Sequence, residues 1–131
     1  MPTRKSKGKL NMDKIIIKNL LARGIIGVND WEREKPQDIL INIEIETDLR
    51  QAGETDDIEH TVNYRTVAKK AVALAEEAGK QTVEALAHAI AKAALESDRA
   101  ERVRVRVEKP GAVRFAESVG VEVVRTREVT G

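Results

Sequence analysis

The chain has 131 residues, of which 34% are charged, and 23 basic side chains nearly balance 22 acidic ones for a formal net charge of +1. That length suits one domain with a modest core, and the even charge argues against nucleic acid as the main partner, because phosphate recognition needs a basic excess. The absence of cysteine removes disulfide and thiolate chemistry and fits a cytoplasmic setting, and the apolar runs are too short to span a bilayer, so no membrane partner is expected.

Taken from the start, Met1–Asn11 carries Arg4, Lys5, Lys7 and Lys9 with almost nothing apolar. Residues 1–12 are read as a disordered basic tail and 13–127 as the folded domain. Ile15, Ile16, Ile17, Leu20, Leu21, Ile25 and Ile26 predict a long first strand over 13–28, bent near Gly24. A polar connection over 29–36 ends at Pro36. Ile39, Ile41, Ile43 and Ile45 then alternate with Leu40, Asn42, Glu44 and Glu46, the pattern of a half-buried strand.

Residues 50–63 read as a polar loop, with Asp56-Asp57 ending it or capping a short turn. Asn63 is placed to cap a helix with Val67, Ala71, Leu74, Ala75 and Ala78 on its inner stripe, and Gly79 to end it. Thr82 can cap a second helix, whose stripe is Val83, Leu86, Ala87, Ile90 and Ala94. Val103, Val105 and Val107 make a third strand, and Val119, Val121 and Val123 a fourth. The result is an α+β fold in the order ββααββ: one antiparallel sheet with both helices on one face. Arg102, Arg104 and Arg106 on its other face can pair with the row Asn42, Glu44 and Glu46. The two sheet edges invite assembly by edge pairing.

Four short segments carry the chemistry. Lys109 stands where the third strand stops, and Pro110-Gly111 then turns the chain. Taken alone it is an ordinary strand-end lysine. Glu84 opens the second helix, where the helix dipole favours a carboxylate anyway. Its apolar neighbours Val83, Leu86 and Ala87 put it beside the core, where it suits a ligand with two parallel N–H donors. Glu32 follows the single tryptophan, Trp31, in what is equally a charged turn. Tyr64, the single tyrosine, opens a helix, where packing is its default role. His60 and His88 lack metal-ligand spacing, so no metal is expected. There is no phosphate loop, dinucleotide fingerprint or nucleophile elbow.

These segments, in order, resemble the dihydroneopterin aldolase family. The resemblance runs from about Asp13 to Val123 through Ile26-Gly27-Val28-Asn29-Asp30-Trp31-Glu32, Asp56-Asp57-Ile58 with Asn63-Tyr64, Val83-Glu84-Ala85-Leu86-Ala87, and Lys109-Pro110-Gly111-Ala112-Val113 with Ser118-Val119-Gly120-Val121. It departs at Asn29, where many members have tyrosine or histidine. Asn63-Tyr64-Arg65-Thr66-Val67 and Arg114-Phe115-Ala116-Glu117-Ser118-Val119 also resemble a sister enzyme, dihydroneopterin triphosphate 2'-epimerase. The resemblance implies the tunnelling fold, assembled into a multi-subunit barrel as a homo-tetramer or homo-octamer with sites at subunit interfaces. It implies retro-aldol cleavage of a pterin substrate in folate biosynthesis without a cofactor. Lys109 and Tyr64 would be catalytic, with Tyr64 supplied by the adjacent subunit. Glu32, Tyr64, Val83 and Glu84 would bind substrate. A non-catalytic pterin-binding protein of the same shape remains the alternative from another class.

Overall fold

The computed structural model describes residues 12–27, 29, 31, 35–77, 79 and 82–127. Strands β1 (Asp13–Gly24) and β2 (Gln37–Thr47) come first. A short helix α1 (Arg50–Thr55), a 3-10 turn (Ile58–His60) and helices α2 (Tyr64–Glu77) and α3 (Val83–Ala94) follow. Strands β3 (Arg102–Pro110) and β4 (Ser118–Thr126) close the domain. The sheet runs β1-β2-β3-β4 with every pair antiparallel. The expected order ββααββ is therefore the observed one, with α1 added.

The core is built on the β2–β3 pair. Ile41, Ile43 and Ile45 stand opposite Val107, Val105 and Val103, and all six are fully buried. Val67, Ala71 and Ala75 of α2 and Leu86, Ala87, Ile90, Ala91 and Ala94 of α3 cover this face. So many alanines let both helices settle close to the sheet. Asn63 caps α2 by accepting from Arg65 N at 3.1 Å, and Thr82 caps α3 by accepting from Ala85 N at 3.1 Å. Gly79, at φ 60°, follows α2 as expected. Ala78 lies outside the described residues.

On the outer face, Glu44 faces Arg104 and Glu46 faces Arg102, as the charge rows predict, while Asn42 faces Arg106. Arg104 and Arg106 also share Glu122 of β4, at 3.3 and 2.9 Å. Each exposed pair contributes little, about 0–1 kcal/mol. Together they penalise a one-residue slip, which would also turn the Ile and Val rows out of the core.

Three expectations are corrected. β1 stops at Gly24, and its irregularity lies between Ile17 and Leu20. Lys18 and Asn19 form a bulge there. Asn19 sits at φ 55° and donates its N–H to Asn42 Oδ1 at 2.7 Å, a backbone conformation asparagine tolerates better than most residues. The supposed loop 50–63 contains α1 and the 3-10 turn; α1 buries none of its side chains, so it leaves no apolar period to read. Asp56 ends α1 at φ 58°, and Asp57 starts the turn by accepting from Glu59 N at 2.9 Å. Arg50, hydrogen-bonded to Asp48 just before α1, holds that carboxyl down at about 2. Finally, Val119 is exposed; only Val121 and Val123 of the β4 valines pack against the core.

Gly24 has a separate task. A Cβ there would lie 2.0 Å from the carbonyl oxygen of Ala75. The C-terminal end of α2 therefore rests directly on the end of β1. Gly24→Ala must push helix from strand, and a destabilisation of about 1–3 kcal/mol is expected, the usual range for overpacking. Urea unfolding at fixed protein concentration measures it; an unchanged midpoint would show that the helix end yields freely.

Candidate active site

β3 aims Lys109. Val103, Val105 and Val107 face the helices, and strand alternation puts Lys109 on that same face, one step beyond the core. It pairs with Val119 on β4 and is half-buried. The chain after it is pinned: Gly111 N donates to Glu117 O at 2.9 Å, Ala112 N donates to Lys109 O at 3.3 Å, and Ser118 Oγ donates to Glu108 Oε2 at 2.7 Å. Gly111, at φ 71°, occupies a conformation that suits glycine. On β4, a Cβ at Gly120 would lie 2.0 Å from Val107 O. The lysine thus leaves a backbone fixed on both sides.

Val83 and Glu84 open α3. The short link from Ala94 to Arg102 sets α3 antiparallel to β3, so the start of α3 points toward the Lys109 end of the sheet. Val83 is partly buried against the core. Glu84 is exposed, not beside the core as its neighbours suggested. It falls on the flank shared with Ala85 and His88, away from the buried Leu86, Ala87 and Ile90 stripe. Glu84 is therefore free of packing duty in the single chain. The connection between β1 and β2 lies at this same end, because Gly24 pairs with Gln37 and Leu40 pairs with both Leu21 and Glu108. Trp31 there is 68% exposed. Glu32 lies outside the described residues.

Tyr64 stands at the other end. It is the first residue of α2 and is 51% exposed. Helix α2 reaches Gly24 only at Ala75, eleven residues further on, which is roughly 17 Å of helix. Near its start, Lys70 pairs with Glu96, just beyond the end of α3, at 2.7 Å. One chain thus brings Lys109, Val83 and Glu84 to one end of the sheet and leaves Tyr64 at the opposite end. Among the described residues, no cluster of three His, Asp or Glu side chains could hold a metal ion. No helix among them is long and apolar enough to cross a membrane.

Residues 15–124 match the sequence profile of dihydroneopterin aldolase. The chain belongs to the dihydroneopterin aldolase family. The E. coli dihydroneopterin aldolase, solved in complex with neopterin, superimposes with a TM-score of 0.83 at 35% identity, covering 87% of this chain and 99% of that one. A dihydroneopterin triphosphate 2'-epimerase of Pseudomonas aeruginosa is 37% identical over 84% of this chain and 89% of its own length. The folic acid synthesis protein FOL1 of Dictyostelium discoideum is 42% identical over 88% of this chain, which spans only 18% of that longer protein.

Because Glu84 buries no surface that holds the fold, Glu84→Ala should leave the melting temperature nearly unchanged. Pterin binding should weaken by roughly 2–5 kcal/mol if the carboxylate accepts two ring N–H bonds, each worth about 1.5–3 kcal/mol. Titration calorimetry beside thermal melting separates the two. Unchanged affinity with lost stability would return Glu84 to a helix-start role.

Proposed function

We propose that the chain is a cytoplasmic dihydroneopterin aldolase, with residues 13–127 as its working unit. On this reading it acts as a homo-tetramer or homo-octamer whose sites form between neighbouring subunits. The observation that carries the reading is the placement of Lys109 and Glu84 at one end of the sheet and Tyr64 at the other. Head-to-tail contact between copies would unite them. Family membership and the neopterin complex of the E. coli relative support the substrate class.

The reaction on this reading is a retro-aldol cleavage. In 7,8-dihydroneopterin the proton of the second side-chain hydroxyl leaves, and its carbon becomes the carbonyl of glycolaldehyde. The bond between the first two side-chain carbons breaks, and its electron pair passes into the ring imine, whose nitrogen takes a proton. Protonation of the first side-chain carbon and loss of the ring-nitrogen proton then give 6-hydroxymethyl-7,8-dihydropterin. The substrate supplies its own electron sink, so Lys109 serves as acid and base through water. Such a group contributes about 10²–10⁴-fold. Glu84, with the Val83 backbone beside it, holds the ring N–H and 2-amino group. Tyr64 of the neighbour stacks near the pterin and delivers the carbon-bound proton. Glu32 holds the side-chain hydroxyls. Re-addition of glycolaldehyde to the other face gives the epimer as a side product.

The Pseudomonas relative favours a second reading, epimerisation of the triphosphate. Such a substrate needs converging cations, whereas Glu117 and the carboxylates around Trp31 lie close in sequence to the same segments. Dihydroneopterin and its triphosphate, supplied in parallel at matched magnesium and salt, separate the two readings. The aldolase releases glycolaldehyde from the unphosphorylated substrate; faster turnover of the triphosphate to epimer alone would overturn it. Lys109→Ala should lower turnover at least about 10²-fold. Borohydride should trap no substrate on Lys109, and a reduced adduct there would establish Schiff-base chemistry instead.

A further inference from the structure

The loop between β3 and β4 ends in a tight turn whose geometry is unfavourable for the residue that occupies it. Ala116 N donates to Val113 O at 3.1 Å, so Arg114 and Phe115 form the two corners. Phe115 sits at φ 73°. That is the corner glycine fills most cheaply, and a bulky side chain there is an outlier. The same phenylalanine is 97% exposed, and the Arg114 guanidinium lies over its ring at 5.1 Å. Val113 beside it is also exposed. Backbone strain and an unburied aromatic ring fall on one residue, and neither benefits the single chain. Strain that the fold does not require points to function.

We propose that this turn is a self-association surface, on which Phe115 packs against the same turn of a second copy of this chain. Charge chooses the occupant. The apolar tip, Val113 and Phe115, is flanked by one cation, Arg114, and one anion, Glu117, both exposed. Under a two-fold axis a patch meets itself, so Arg114 of each copy reaches Glu117 of the other while the rings meet between them. Such a patch is complementary to itself. With a net charge of only +1, two copies suffer little mutual repulsion on approach. A small ligand seated against the half-buried Lys109 would leave most of so exposed a ring in water; a second protein surface is needed to cover it. This contact is distinct from the one that would bring Tyr64 to Lys109, and it does not rest on the reaction catalysed.

The test reads mass rather than activity. Sedimentation at micromolar concentration should show that Phe115→Asp halves the assembly formed by the wild type. Phe115→Gly removes the ring while suiting the backbone, so it should halve the mass without lowering the melting temperature of the dissociated form. Arg114→Glu and Glu117→Arg should each raise the concentration for half-association at least tenfold, and the double reversal should restore it. Wild-type mass in both Phe115 variants would overturn the proposal. So would a double reversal no better than either single change, which would give the turn to a different partner.

Discussion

Where the lysine stands is decided by the register of β3 between its two neighbours. Val103, Val105 and Val107 must face the helices, because Ile45, Ile43 and Ile41 opposite them do so and none of the six has any exposure. Lys109 is the next residue of that parity. A one-residue slip would move it to the outer face and turn the Ile and Val rows into water. Core packing and the direction of the amine are thus one constraint. The ion pairs of Glu44 with Arg104 and of Glu46 with Arg102 count the register rather than supply much energy. Gly120 allows β4 to close on Val107 at the point where the lysine emerges.

The second constraint is incompleteness. The chain has one tryptophan, one tyrosine and one phenylalanine, and none is in the core. Aromatic residues are the largest source of burial available to a small domain. Here Ile, Val, Leu and Ala fill the interior, and all three rings stand at the surface, on the chain ends and turns where the candidate site and the edges lie. β1 and β4 each have only one strand neighbour. Helix α2 separates Tyr64 from the lysine end by most of its length. A single copy is a stable scaffold holding half of a site at each end.

Legibility in the sequence followed burial. Strands β2 and β3 were plain because they alternate between an apolar core and a charged face, and both helices were plain because alanine stripes and caps coincide at Asn63 and Thr82. Helix α1 was hidden because nothing on it is buried. The bulge at Lys18-Asn19 was hidden because its only signal is one hydrogen bond to Asn42, twenty-three residues away. At the site, the sequence located Lys109 and Glu84 but misjudged the surroundings of Glu84, since a first-turn residue can flank a buried stripe without entering it. The strain at Phe115 has no sequence signature, because only the backbone angle reveals it.

The central claim is that Lys109 and Tyr64 of different copies complete one site. The direct measurement mixes two variants, Lys109→Ala and Tyr64→Ala, each assembled alone and each expected to be almost inactive. After dissociation and joint reassembly, the account predicts recovery of activity. Roughly a quarter of the contacts should pair an intact Lys109 with an intact Tyr64 from a neighbour, if the copies associate head to tail and at random. Mixed assemblies that form normally but stay inactive would contradict the shared site, and so would full activity in a monomer.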